Sequence, residues 1–236
     1  MRRLIRADLR RFFSKPGFYL LIIFLIVETL FITYGETAAE QIEELHGQVN
    51  FWTVLVCFLT FNTLYGDEAR TGFMATAIGR GHSRAKIVVS KLITASIVLF
   101  ISVLIAFATS LLMNSDPELA VSERQNCFLF FFMLYAFLKG VGYMAIASLF
   151  LFSSGSIALG IAALVTCSVF GVVLYTVQTD YLIPVYDICY DGLLEKSYTV
   201  FHGGAFGWQI IPAVIIYILG SVYLTVKSFE KRELEL

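Results

Sequence analysis

Charged residues, prolines and cysteines are all scarce in this chain. Of its 236 residues, 15% are charged, and there are four prolines, four cysteines and three histidines. The cysteines are scattered without the paired spacing of a zinc site, and the histidines fall in separate connections. The sequence contains no Walker loop, no H-E-x-x-H motif and no G-x-S-x-G motif. We therefore expect no metal site and no catalytic site, and the chain lacks the loop needed for ATP hydrolysis by the Walker mechanism.

Long apolar runs dominate instead, and 58% of the residues are hydrophobic. Six runs reach or approach the ~20 residues that a helix needs to cross the ~30 Å hydrocarbon core of a bilayer. These runs occupy residues 17–34, 50–66, 88–113, 127–150, 157–177 and 207–226. The sequence therefore predicts an all-α membrane protein with six transmembrane helices.

The basic residues lie almost entirely on one side of these runs. Fourteen of the seventeen Lys and Arg residues fall in the N-terminal segment, the second connection or the C-terminal tail. The connections on the other side are acidic and contain two basic residues, Arg124 and Lys196. Because an excess of Lys and Arg marks the cytoplasmic side, this asymmetry predicts a multi-pass protein of the cell membrane with both termini in the cytoplasm.

The sequence raises two covalent modifications, cleavage of a signal peptide and a disulfide bond. The basic start and the first apolar run are similar to a signal peptide, but the run is long and Thr37-Ala38-Ala39 is a weak cleavage site. We therefore expect the first run to remain as a transmembrane helix. Cys127 and Cys189 both fall near the predicted outer face, where a disulfide between them is an alternative to four unpaired cysteines.

The first sixteen residues predict an amphipathic helix. One half of its helical wheel holds Leu4, Ile5, Leu9, Phe12 and Phe13, and the other half holds Arg3, Arg6, Arg10 and Arg11. A helix of this kind lies in the membrane interface, where its arginines meet anionic head groups. Pro16 and Gly17 then end the helix. The alternative is a simple basic anchor on the cytoplasmic side.

The second connection, residues 67–91, is longer than two neighbouring spans require. Acidic residues open it, and residues 72–78 form a compact and moderately apolar stretch. Residues 79–82 contain two glycines that break this stretch, and Ser83 is suited to cap the next helix. The pattern predicts a short cytoplasmic helix that docks on another protein, with an ordinary connecting loop as the alternative.

The fifth connection, residues 178–206, is too apolar for a solvated loop and too interrupted for a full span. Pro184, Gly192, Gly203 and Gly204 punctuate it. Irregular backbone persists at membrane depth only where it is buried in protein or lines a cavity. We therefore predict a re-entrant hairpin at the outer side, with a plain amphipathic loop as the alternative.

Two ionisable residues fall inside the predicted spans. Glu28 lies about twelve residues into the first span and Lys139 about twelve residues into the fourth, so a rise of ~1.5 Å per residue places both near the bilayer centre. Charged groups at this depth are costly and point to function. Two interpretations stay open: an ion pair between Glu28 and Lys139, or two separate polar groups that line a transport path.

These features resemble the type-2 ABC transporter permeases, and in particular the small six-span subunits of peptide export or immunity. The resemblance is carried by Glu68, Gly72, the short helix, Ser83 with Arg84, and residues 90–92 at the start of the third span. It is specific only across about residues 67–92, and elsewhere it covers the architecture of the chain. Gly81 and His82 depart from the family pattern, which often has a proline before the serine.

The resemblance implies a permease domain over residues 17–236 and a coupling helix that docks on a separate cytoplasmic ATP-binding subunit. That subunit would bind ATP and Mg, and this chain would hold no cofactor. The coupling role would fall to Glu68, Gly72, Phe73, Met74, Ile78, Ser83 and Arg84. Further implied partners are a second permease subunit, identical or related, and the lipids of a bacterial plasma membrane; no feature predicts a nucleic-acid partner.

The function implied is the export of an amphipathic or peptide substrate, with the re-entrant hairpin closing the outer end of the path. The alternative is a non-transporting scaffold or sensor that recruits a cytoplasmic partner through residues 67–91. A membrane-embedded enzyme comes third, because the sequence contains no motif for it.

Overall fold

The computed structural model describes residues 1–33, 52–66, 73–113, 123–198 and 205–231. Within these ranges, the side chains of residues 28–33, 73–75, 110–113 and 123–129 lie outside the description. The described residues are almost entirely helical and form no strand, although an isolated antiparallel bridge joins Tyr198 to Phe206. The predicted all-α class is therefore confirmed for the described part of the chain.

The helices follow the apolar runs of the sequence. The first five are α1 (Arg2–Phe13), α2 (Pro16–Thr33), α3 (Trp52–Gly66), α4 (Phe73–Gly79) and α5 (Arg84–Met113). The next three are α6 (Glu123–Ser154), α7 (Ile157–Tyr181) and α8 (Tyr190–Ser197), with a 3₁₀ turn (Tyr186–Ile188) before α8. The last helix, α9 (Ile210–Lys231), has a π-helical middle (Ala213–Leu219).

Four of these helices, α5, α6, α7 and α9, are long and apolar enough to cross a membrane. Two shorter apolar helices lie at Pro16–Val27 and Trp52–Gly66 in the part of the chain that the structure describes. These findings fit a multi-pass membrane protein, and a count of six spans stays a prediction.

Four helices, α5, α6, α7 and α9, extend beyond one or both ends of the apolar runs that predicted them. Helix α6 continues past residue 150 to Ser154, and Ser153 and Ser154 donate hydrogen bonds back to the carbonyl oxygen of Phe150. Helix α7 likewise continues to Tyr181, four residues beyond the predicted end. Hydropathy marks only the apolar part of a helix, whereas backbone hydrogen bonds continue through the polar residues at its ends.

Helix α6 occupies the centre of the described bundle and packs against α5, α7, α8 and α9. Its last turns bury small side chains such as Ala145 and Ala147, which allow neighbouring helices to approach closely. Gly160 of α7 serves the same purpose, because a Cβ there would lie 2.5 Å from the ring of Phe61. The bundle is thus assembled on a central helix with small residues at its contacts.

Helix α1 has the amphipathic character that its sequence predicts, and it packs against α5. Phe12 is buried, and its ring lies 5.7 Å from that of Phe18 at the start of α2. Arg3 and Arg10 are exposed. Asp8 lies among the buried residues, where it forms an ion pair with Lys91 of α5. The helix is therefore fixed to the bundle by a charge as well as by apolar packing.

Candidate functional site

The main candidate site is an ion pair buried between α6 and α8. Lys139 Nζ lies 3.3 Å from Asp191 Oδ1, and the two side chains are 1% and 6% exposed. Helix α6 supplies the lysine from its midpoint, and α8 supplies the aspartate from its first turn. Burial removes both charged groups from solvent, and each compensates the charge of the other.

Tyrosines on the same face of α6 complete the surroundings of the pair. Tyr143 donates a 2.8 Å hydrogen bond to Asp191 Oδ2, and Lys139 donates a 3.4 Å hydrogen bond to the hydroxyl oxygen of Tyr135. Residues 135, 139 and 143 follow at intervals of four and so lie in one row on the helix. Asp191 Oδ1 has no hydrogen-bond donor with good geometry among the described residues, so its contact with Lys139 is electrostatic rather than directional.

Two glycines make room for α8 beside the pair. A Cβ at Gly171 of α7 would lie 2.3 Å from Asp191 Oδ2, and a Cβ at Gly142 of α6 would lie 2.2 Å from the ring of Tyr190. Atoms at such distances overlap, so α8 occupies its position only because both residues lack a side chain. The glycines form a slot that matches the first turn of α8.

The slot lies deep within the bundle. Gly171 precedes Tyr181, the last residue of α7, by ten residues, which corresponds to about 15 Å along the helix axis. The hydroxyl of Tyr190 donates a hydrogen bond to the carbonyl oxygen of Leu138, close to the midpoint of α6. The chain therefore turns back after α7 and returns along the bundle as far as the middle of α6.

Polar contacts join the 3₁₀ turn to α8 and to the end of α7. Gln178 donates a 2.9 Å hydrogen bond to Asp187 Oδ1, and Lys196 forms an ion pair with the same carboxylate. The hydrogen bonds from Lys196 and Gln178 hold the pKa of Asp187 below its usual value. Tyr186 donates a hydrogen bond to Glu195, and burial together with that bond raises the pKa of Tyr186. The 3₁₀ turn and α8 are thus joined into one folded segment.

Asp191 was missed by the sequence analysis, which placed it among the acidic residues of the outer side. It lies in an apolar and interrupted segment, directly between Tyr190 and Gly192. An acidic residue in such a segment is the signal that predicts a buried partner for Lys139. The proposed partner Glu28 lies on α2, but its side chain is outside the described residues, so the Glu28–Lys139 pair stays a prediction.

The predicted coupling segment contains a short helix, α4, as its sequence indicates. This helix ends in a Schellman motif: His82 N donates to Ala77 O at 3.2 Å, and Gly81 N donates to Ile78 O at 2.8 Å. Gly81 adopts a φ of 83°, which a glycine accommodates without strain. The glycines of residues 79–82 were predicted to interrupt the helical stretch, and in the structure they form the ordered C-terminal end of α4.

The residues that follow the short helix anchor it to the bundle. Ser83 Oγ accepts a 3.4 Å hydrogen bond from Lys86 N, which caps α5 as predicted. Arg84 donates hydrogen bonds to the carbonyl oxygens of Phe229 and Glu230 in the last turn of α9. Ile78 packs against the apolar core. The start of α5 is thus joined to the end of α9.

The structure describes the other predicted coupling residues only partly or not at all. Phe73 and Met74 begin α4, but their side chains lie outside the described residues. Glu68 and Gly72 fall outside the described ranges altogether. Their predicted role in coupling therefore rests on the sequence.

No group of three His, Cys, Asp or Glu residues in the described ranges is arranged to hold a metal ion. Cys189 carries a free thiol, and the side chain of Cys127 lies outside the description. The chemistry that the site offers is therefore the making and breaking of an ion pair. A comparison with protein-family models gives no match, and a comparison with curated protein sequences gives none either.

Proposed function

We propose that this chain is the transmembrane permease subunit of an ABC transporter. The observation that carries the proposal is α4, a separate short helix on the basic side of the chain. The helix ends in a Schellman motif, and four residues connect it to α5. Helix α5 is long and apolar enough to span a membrane. A force applied to α4 by a cytoplasmic partner would therefore reach a spanning helix across four residues.

Two other features support the proposal. The amphipathic helix α1 is fixed to α5 near its start, so the interfacial helix and the coupling segment act on the same spanning helix. The segment after α7 returns to the middle of the bundle, as a re-entrant hairpin on the outer side does. Six spans complete this architecture in the proposal, with α2 and α3 as the first two.

In the proposed complex, two permease subunits enclose the path, since six helices leave little room for a large substrate. Two ATP-binding subunits bind ATP and Mg and dock on α4 from the cytoplasm. The substrate is amphipathic or a peptide and moves outward. The protein belongs to the plasma membrane, with both termini in the cytoplasm.

The test is docking of an ATP-binding subunit, which is sought among the proteins encoded beside this chain's gene. The two proteins are produced together, purified through a tag on this chain, and assayed for ATP turnover. The variant carries Phe73→Ala, Met74→Ala and Ile78→Ala together, and Thr76→Ala, an exposed position on the same helix, is the matched control. We expect the triple variant to release or uncouple the ATPase, and the control to retain both.

A triple variant that binds the ATPase and stimulates its turnover normally would contradict the docking role of α4. A chain that recruits a partner without any effect on ATP turnover would instead be a scaffold.

A further inference from the structure

Four buried aromatic rings form a continuous row across three helices. The ring centroids of Phe229 on α9 and Phe152 on α6 lie 4.9 Å apart, and those of Phe152 and Tyr65 on α3 lie 6.0 Å apart. Phe61, one turn before Tyr65 on α3, continues the row with a centroid distance of 4.6 Å. Each of these side chains belongs to a residue that is at most 1% exposed. We call Phe229, Phe152, Tyr65 and Phe61 the aromatic row.

The aromatic row lies at the ends of its helices. Phe229 is two residues from the end of α9, Phe152 is two residues from the end of α6, and Tyr65 is next to the last residue of α3. Arg84 at the start of α5 donates hydrogen bonds to the carbonyl oxygens of Phe229 and Glu230. The row therefore begins where the predicted coupling segment joins the bundle.

Arg84 contacts the first ring of the row as well as the backbone beside it. Its guanidinium carbon lies 5.4 Å from the centroid of the Phe229 ring. A planar guanidinium can stack on a ring and donate to carbonyl oxygens at the same time, which fixes its orientation. A displacement of the start of α5 therefore acts directly on the buried ring of Phe229.

The far end of the row is packed against two further helices. The hydroxyl groups of Tyr65 and Ser148 of α6 share a 3.1 Å hydrogen bond. Phe61 packs against Gly160 of α7, where a Cβ would lie 2.5 Å from its ring. Close-packed interiors transmit strain, so a ring that moves displaces its neighbour. The row thus connects Arg84 to α9, α6, α3 and α7 in turn.

We propose that the aromatic row transmits movement of the coupling segment to α9, α6 and α3, with Arg84 and Phe152 as positioning residues. The inference rests on the proposed transport function for the source of that movement. It deepens that function, because the chain itself carries a movement of α4 only into α5, whereas the row carries it into three further helices. Neither positioning residue needs to contact the substrate or the nucleotide.

The first test uses the chain alone and measures whether the two ends of the row are coupled. Thr60 is fully buried on α3 beside Phe61, and its hydroxyl has no hydrogen-bond partner among the described residues, so Thr60→Cys is a conservative reporter. The native cysteines are replaced by serine at Cys189, which caps α8, and by alanine elsewhere. The chain is reconstituted in lipid nanodiscs, and reaction of residue 60 with a maleimide is followed by peptide mass spectrometry.

We expect Arg84→Met to raise the labelling rate at residue 60 at least about threefold, because the row loses its contact with α5. In a Phe152→Leu background, which interrupts the row in its middle, the same change should have little further effect. Lys86→Met is the matched control, since Lys86 is an exposed basic residue in the same turn of α5, and it should label at the parent rate. An unchanged rate in Arg84→Met, or the same increase with and without Phe152→Leu, would overturn the row as a transmitting element.

The second test adds the ATP-binding subunit and compares labelling at residue 60 without nucleotide and with ADP and vanadate. The rates in the parent complex should differ at least about threefold between these states. Phe152→Leu should keep the bound subunit and lose this difference. Phe132→Leu is the matched control, because it removes a buried ring of the same helix outside the row, and it should keep the difference. Loss of the difference in both variants, or in neither, would overturn the proposal.

The two tests separate the aromatic row from the proposed function. If no ATP-binding subunit binds the chain, the transport function fails, and the first test still decides whether Arg84 is coupled to residue 60. If the subunit binds and turns over ATP while nucleotide leaves residue 60 of the parent unchanged, the transport function stands and the row is overturned.

Discussion

Asp8 of α1 and Lys91 of α5 form a 2.9 Å ion pair in which both side chains are at least nine-tenths buried. Arg11 lies 3.3 Å from the same carboxylate, so Asp8 connects two basic residues from different helices. The pair fixes the register of the amphipathic helix α1 on α5, the long apolar helix that follows the predicted coupling segment. An interfacial helix without such a contact would be free to slide along the membrane surface.

Removing one partner of this pair should destabilise the protein. Asp8→Asn leaves Lys91 buried without its compensating charge, and we expect a loss of ~3–5 kcal/mol. Asp8→Leu combined with Lys91→Met should recover part of that loss, because no uncompensated charge remains. The measurement is the thermal unfolding midpoint of the detergent-solubilised chain, with Arg3→Gln at an exposed position of α1 as the control. Equal midpoints for Asp8→Asn and Arg3→Gln would show that the pair contributes nothing.

Gly171 and Gly142 should not tolerate a methyl group. Alanine at either position places Cβ within 2.3 Å of Asp191 Oδ2 or of the Tyr190 ring, so α8 must shift or leave. We expect ~1–3 kcal/mol of destabilisation from each change. Gly79→Ala is the matched control, because Gly79 is helical and nothing lies within 4 Å of its Cβ position. That control should be neutral or stabilise the chain by about 0.4–1 kcal/mol. Similar losses at all three glycines would argue against the slot.

The contacts of Asp187 predict a pH dependence of stability. Its pKa is lowered in the folded protein by the hydrogen bonds from Lys196 and Gln178. The stabilisation is therefore fully present above the unfolded value of about 3.9 and is lost as the pH falls through the folded pKa. Asp187→Asn should lower the unfolding midpoint slightly at pH 6, since the pair is partly exposed. The difference from the parent should disappear at the lowest pH, and a difference that grows as the pH falls would have the wrong sign.

Charge asymmetry predicts the sidedness of the chain, which is checked by cysteine labelling in sealed cells. Leu45→Cys and Ala120→Cys should react with an impermeant thiol reagent from outside. His82 belongs to the Schellman motif that ends α4 on the basic side, so His82→Cys should react only after the cells are opened. Reaction of residue 82 in sealed cells would reverse the orientation and remove α4 from the reach of a cytoplasmic ATPase.

Periodicity and hydropathy predict much of this fold because they report local preferences. Pro16 separates α1 from α2, and the glycines after residue 78 end α4, as the sequence indicates. The buried charges were not predictable in the same way. Asp8 falls within the apolar half of its helical wheel and Asp191 falls in a segment assigned to the outer side, yet both are buried against lysines of other helices. Such pairs depend on tertiary contacts, which one sequence does not specify.

Two acidic residues are candidate partners for Lys139. Asp191 contacts Lys139 in the structure, and Glu28 is the partner that the sequence predicts. Two double-mutant cycles separate them, with transport or ATPase stimulation normalised for folded protein. Lys139→Met with Asp191→Asn should be strongly non-additive, with a coupling of about 1–3 kcal/mol, because the two side chains are in contact. Lys139→Met with Glu28→Gln should recover part of the loss of each single variant if Glu28 also pairs with Lys139. A double variant at least as impaired as the worse single one would place Glu28 in the path as a separate polar group. Strict additivity in the second cycle would rule out the Glu28 pair and leave Asp191 as the partner that holds Lys139.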